Sequence, residues 1–177
     1  MAVLSDGEVS PSSGDGAAGR LAAALAAEIA ALEPLPRFDR DGAGVRADRA
    51  VVAARAQGLT ELAMRGQLVQ AEVLQRRGEL AAGGRLAQEV LTWATDHGSV
   101  HLVARGHYVL QAVLLDLGDL SGALEHSVRA AELHGDVDRE LVVVNNWAYV
   151  EAQHGDAQAA LDPVSYTHLT LPTNREV

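Results

Sequence analysis

LGDLSGALEHSVRAAEL, residues 117–133, is the stretch whose reading decides the fold. Gly118 stops one helical pattern, because glycine takes the left-handed conformation that a side chain resists. Ala123 and Ala130, seven residues apart, then fall on one face of the next helix. Small residues there let the two helices of a hairpin approach closely. The same turn is written twice more, as Arg77-Gly78-Glu79-Leu80 and His154-Gly155-Asp156-Ala157, with the three glycines 40 and 37 residues apart. Ala71 and Ala148 each stand seven residues ahead of such a glycine. Periods of this length, built from helix pairs, signal stacked helical hairpins.

Working outward, helices are expected over 60–77, 80–97, 99–117, 121–134 and 138–154, stopped by Gly78, Gly98, Gly118, Gly135 and Gly155. Short connections make successive helices antiparallel neighbours. Upstream, residues 20–33 carry Leu21, Leu25, Ile29 and Leu32 on one helical stripe that ends at Pro34 and Pro36. A second helix is expected over 46–57, with a polar, glycine-containing loop over 38–45 before it. Residues 1–19, rich in Ser, Gly, Asp and Pro, read as a disordered leader. The expected organisation is a leader over 1–19, an N-terminal helical pair over 20–58, helical repeats over 59–162 and a tail over 163–177. The expected fold class is all-α: a right-handed stack of antiparallel helix hairpins without a sheet.

Composition excludes several functions. Hydrophobic residues make up 48% of the 177, but aromatics only 3%, so the core must be built on alanine. A sandwich or barrel wants more Val, Ile, Thr and aromatic residues. Ile occurs once, at Ile29, and Lys never; all 14 basic residues are Arg, and the Ala, Gly, Arg, Val and Asp excess follows GC-rich codons. A net charge of −10 argues against non-specific nucleic-acid binding and against an anionic membrane surface. The absence of Cys rules out disulfides, a Cys zinc site and thiol catalysis. No apolar run reaches the roughly 18 residues of a membrane span, and the N-terminus lacks the basic start of a signal peptide. A cytoplasmic protein is expected.

The repeated residues resemble the tetratricopeptide repeat: a small residue in the first helix, a Gly-Asp-aliphatic turn and two spaced alanines in the second helix. Residues 117–133 match best. The copy RGELAAGGRLAQEV, residues 77–90, departs from the pattern, with Gly83 and Val90 at the alanine positions. Gln111 stands where a small residue is usual, the closing proline is missing, and the period exceeds the usual length of about 34 residues. The resemblance covers residues 60–161 and implies a solenoid acting as a protein-interaction or sensory module. The segments ELAMRGQLVQAEVLQRRGELAAGGRLAQEVLTWATDHG and HLVARGHYVLQAVLLDLGDLSGALEHSVRAAEL also resemble the N-terminal repeats of actinobacterial GGDEF proteins. There, such repeats precede a diguanylate cyclase domain. Neither a GGDEF or GGEEF string nor a nucleotide-binding loop occurs here. The resemblance therefore implies the non-catalytic half of a signalling protein, truncated before its output domain. The alternatives are a fragment of a diguanylate cyclase or the repeat region of a transcriptional regulator. Finally, VSYTHLTLPT, residues 164–173, resembles a translation of the transposon mosaic-end adapter used in sequencing libraries. Residues 164–177 have no Ala or Gly but three Thr, against three in the preceding 163. The tail is expected to be foreign to the natural protein.

No catalytic residue, metal or cofactor is expected. His97 and His101 are four apart, a metal-binding spacing on a continuous helix, but Gly98 falls between them. His134 and His154 precede turn glycines, where a cation suits a helix C-terminus. Residues 12–16 are glycine-rich yet lack GxxxxGK[ST]. Trp93 and Trp147 are expected to pack between helices. The remaining candidate is a groove for a protein or peptide partner. The tetratricopeptide resemblance implies that the first helix of each pair lines it, through Arg65, Glu72, Arg76, Arg105, Tyr108, Asp116, Asn145, Asn146 and Tyr149. Arg offers forked donors to carboxylates, and Asn bonds an extended backbone. The competing reading makes these ordinary solvated positions. Self-association is the other expected partnership, with no role for nucleic acid or membrane.

Overall fold

In the computed structural model the described residues are 13–133, the side chains of residues 13–15 and 37 excepted. They form six α-helices: α1 (Ser13–Leu32), α2 (Arg40–Ala56), α3 (Thr60–Arg76), α4 (Leu80–Asp96), α5 (Val100–Leu117) and α6 (Leu120–Leu133), with one 3-10 turn, Leu35–Arg37, after α1. No strand occurs among the described residues, and successive helices pack mainly as antiparallel neighbours. The expected helix over 138–154, its turn at Gly155 and the tail lie outside the described residues.

Four turns share one geometry. Gly58, Gly78, Gly98 and Gly118, spaced 20 residues apart, have φ of +69°, +80°, +68° and +79°. In each, the glycine N–H donates three residues back, as Gly78 does to the Gln75 carbonyl at 2.9 Å. The next N–H donates five back, as Glu79 does to the Leu74 carbonyl at 2.9 Å. This pair of bonds satisfies the last carbonyls of the helix and requires a left-handed residue between them.

The turn spacing sets the packing stripes. Even-numbered helices bury one narrow stripe of mostly small residues: Ala43, Ala47, Ala50 and Ala54 on α2; Gly83, Ala87, Val90 and Ala94 on α4; Ala123, Ser127 and Ala130 on α6. These positions recur at 40-residue intervals, and Ala123 and Ala130 are fully buried as the repeat requires. The odd helices α3 and α5 are buried more broadly, because α3 packs against α1 and α5 as well as against α2 and α4. The main core joins Leu68 and Ala71 of α3, Val90 and Leu91 of α4, and Leu102, Val109 and Leu110 of α5. Trp93 packs against its edge, as expected, and stacks on His97 with ring centroids 4.2 Å apart. A second cluster seats Ile29 and Leu32 of α1 on Ala47, Ala50 and Val69.

Two expectations need correction. Helix α1 begins at Ser13, inside the expected leader. Ala17 and Ala18 have high helix propensity, so the helix propagates outward from the anchored turns at Leu25, Ile29 and Leu32 even though residues 16–20 are exposed. The expected loop over 38–45 is mostly the start of α2. There the Asp39 carboxylate accepts from the Gly42 N–H at 3.0 Å, an N-cap that offsets the poor propensity of two glycines. Gly44 is buried, and a Cβ on it would lie 3.2 Å from Val73 Cγ1, so this glycine serves helix packing rather than a loop.

Two glycines separate backbone conformation from contact. Gly78→Ala meets no atom within 4 Å but must hold φ of +80°, so it should cost about 1–2 kcal/mol, with Gly78→Asn recovering part of it. Gly83→Ala places a Cβ 2.9 Å from the Ala71 carbonyl oxygen, where α3 and α4 cross, and should cost about 1–3 kcal/mol. Urea denaturation of the three variants checks this; equal stability of Gly83→Ala and the parent would refute the close crossing.

Candidate functional site

The odd helices bring a charged cluster together. Glu33, directly after α1, offers Oε1 to Arg65 of α3, whose Nε and Nη2 donate at 3.2 and 3.0 Å. The same oxygen accepts from Arg105 Nη1 of α5 at 2.5 Å. Arg105 Nη2 lies 3.9 Å from Glu72 Oε1 on α3. Arg105, Glu33 and Glu72 keep only 7%, 9% and 12% of their side-chain surface exposed. Two arginines and two glutamates make the set formally neutral. Two guanidinium groups share this space because a carboxylate lies between them.

A separate cleft of about 910 Å³ opens at the C-terminal ends of α3 and α5. Among its described lining residues, Pro36, Phe38, Asp39, Arg40 and Asp41 come from the α1–α2 connection and the start of α2. Gln75, Arg76, Gly78 and Leu80 come from the α3–α4 turn, and Asp116 from α5. Arg40 donates to the Arg76 carbonyl at 2.9 Å, and Arg77 pairs with Asp41 at 3.0 Å, so cations gather at the negative end of α3. Gln75 Nε2 donates to Asp116 Oδ2 at 2.5 Å, tying α3 to α5. Phe38, the one Phe of the chain, is 84% exposed at the rim.

The sequence-derived groove residues therefore divide. Arg65, Glu72 and Arg105 meet in the buried cluster; Arg76 and Asp116 line the cleft. Tyr108 packs against the main core instead of standing in the cleft. Asn145, Asn146 and Tyr149 lie outside the described residues. Sequence reasoning missed Glu33, Phe38, Arg40 and Gln75. One signal was present: Leu62-Ala63-Met64-Arg65-Gly66 recurs 40 residues later as Leu102-Val103-Ala104-Arg105-Gly106, which places the two arginines on equivalent turns. Nothing marked Glu33, which reads as the last residue before a proline stop.

Among the described residues no group of three or more potential metal ligands stands together, and no helix is long and apolar enough to cross a membrane. Comparison with known proteins finds no matching family, no matching curated protein and no matching solved structure.

Burial decides how the acidic residues of α1 and its end respond to substitution. Glu28 pairs with Arg46 through two bonds of 2.8 and 3.0 Å, and this bonding holds its carboxyl below the usual range. Both side chains are about 40% exposed, so water screens the pair. Glu33→Gln instead removes the carboxylate shared by the buried Arg105 and the partly buried Arg65, a loss of about 3–5 kcal/mol. Urea midpoints should fall sharply for Glu33→Gln and barely move for Glu28→Gln. Similar midpoints for the two would show that the cluster is solvated.

Proposed function

We propose that this chain is a non-catalytic, tetratricopeptide-like interaction or sensory module, holding a protein or peptide segment on the face made by its odd-numbered helices. The observation that carries this reading is the cleft at the C-terminal ends of α3 and α5, with the exposed Phe38 ring, Arg76 and Asp116 in its lining. An apolar ring beside forked donors and a carboxylate suits an extended peptide, which brings both apolar side chains and unpaired backbone groups. The 40-residue recurrence of Arg65 and Arg105 supports the repeat reading, because equivalent turns of successive hairpins then line one face. The net charge of −10 disfavours a nucleic-acid partner.

Selection of displayed random peptides on the full chain, followed by calorimetric titration, tests the proposal. Selected peptides should bind Phe38→Ala and Arg76→Ala at least about tenfold more weakly, the mark of an anchor contact. Both residues are exposed, so neither change should move the melting temperature. Peptides that bind both variants as tightly as the parent would place the interaction surface elsewhere.

A further inference from the structure

The α5–α6 interface departs from the α3–α4 interface at four positions. At a 40-residue offset, Ala71 becomes Gln111, Ala87 becomes Ser127, Leu86 becomes His126 and Gln67 becomes His107. Three apolar side chains of one hairpin are polar in the next, and the fourth position becomes titratable. Gln111 and Ser127 are fully buried, and the amide N and O of Gln111 and the Ser127 hydroxyl have no hydrogen-bond partner. Such orphaned groups weaken an interface that the first hairpin closes with alanine.

The two histidines are partly buried between the helices, with Nδ1 atoms 2.8 Å apart and ring centroids 5.0 Å apart at a 48° tilt. At that separation one nitrogen must donate and the other accept, so at least one ring must stay neutral. We propose that this histidine pair makes the α5–α6 hairpin an acid-sensitive joint: protonation of both rings separates α6 from α5 while α2, α3 and α4 remain packed.

The charges acting on His107 are those of His126, Arg129 and Glu125, and on His126 those of Glu125 and Asp119, all on α6 or just before it. Burial, then His126 and Arg129, push His107 down to about 4, with Glu125 opposing. Burial also lowers His126, against the pull of Glu125 and Asp119. Because the folded values lie below the ordinary 6.5, the interface is intact above that pH and weakens as pH falls from there toward 4. Ordinary carboxylates titrate near 4, so a measurement at pH 5 separates the joint from general acid unfolding.

Hydrogen exchange on the full chain at pH 7.5 and 5.0, expressed as protection relative to intrinsic rates, reads the joint directly. Protection of α6 and the facing turns of α5 should fall on the order of tenfold at pH 5.0, with α2, α3 and α4 unchanged. The double variant His107→Gln, His126→Leu takes the residues of the first hairpin and should keep its protection. A uniform loss across all helices, or the same loss in that variant, would overturn the proposal. So would an effect abolished by a chelator, which would make the pair a metal site. Should the variant fail to fold, NMR titration of the parent rings decides. Titration in step with the α6 loss supports the joint, and ordinary titration with α6 still protected overturns it.

Discussion

Each turn from α2 to α6 closes through two backbone hydrogen bonds that form only around a residue with positive φ. With glycine supplying that residue at 58, 78, 98 and 118, α2, α3 and α4 are each 17 residues long and α5 is 18. At about 1.5 Å per residue such helices are close to 25 Å long. Equal lengths put equivalent positions at equivalent heights, so a residue type repeated every 40 positions lands beside its earlier copy. The alanine stripes on the even helices and the arginines on α3 and α5 are both consequences of that rhythm.

The charged cluster shows what the rhythm makes possible and what it demands. Arg65 and Arg105 on neighbouring helices would repel if nothing lay between them. Glu33 arrives from outside the repeat period and supplies the missing carboxylate to both. A buried ion cluster gains little net stability over an apolar one, because desolvation offsets the Coulomb attraction. Its effect is on register. Helix α1 has few apolar anchors, chiefly Leu25, Ile29 and Leu32, and a different seating on α3 would take the shared carboxylate away from both guanidinium groups.

Residues whose local chemistry and tertiary role agree were legible in the sequence. A glycine after an amphipathic run means a left-handed helix end wherever it occurs, so the helices from α3 onward were found within a residue or two. The start of α2 was not legible, because Gly42 and Gly44 disfavour helix by themselves. The Asp39 cap and the contact with Val73 on another helix reverse that preference. The same limit applies to the site. That Arg65, Glu72 and Arg105 share a face followed from the repeat pattern. That they face inward, neutralised by a glutamate 32 and 72 residues away in sequence, depended on a contact no local pattern encodes.

Helix α5 is where these features meet. Arg105 faces the buried cluster, Asp116 the cleft, and His107 and Gln111 the α6 interface. Its ties to α3 include the ion pair of Arg105 with Glu72 and the bond between Gln75 and Asp116, whereas Gln111 and, on α6, Ser127 hold buried polar atoms without partners. Among the described residues α6 packs chiefly against α5, so a rearrangement at α6 would reach the cleft through α5. The hydrogen bond between Gln75 of α3 and Asp116 of α5 is the point at which a shift of α5 would change the cleft's lining. The arrangement sets an ion-paired contact with α3 against an α6 interface that buries unpartnered polar atoms, with one helix belonging to both.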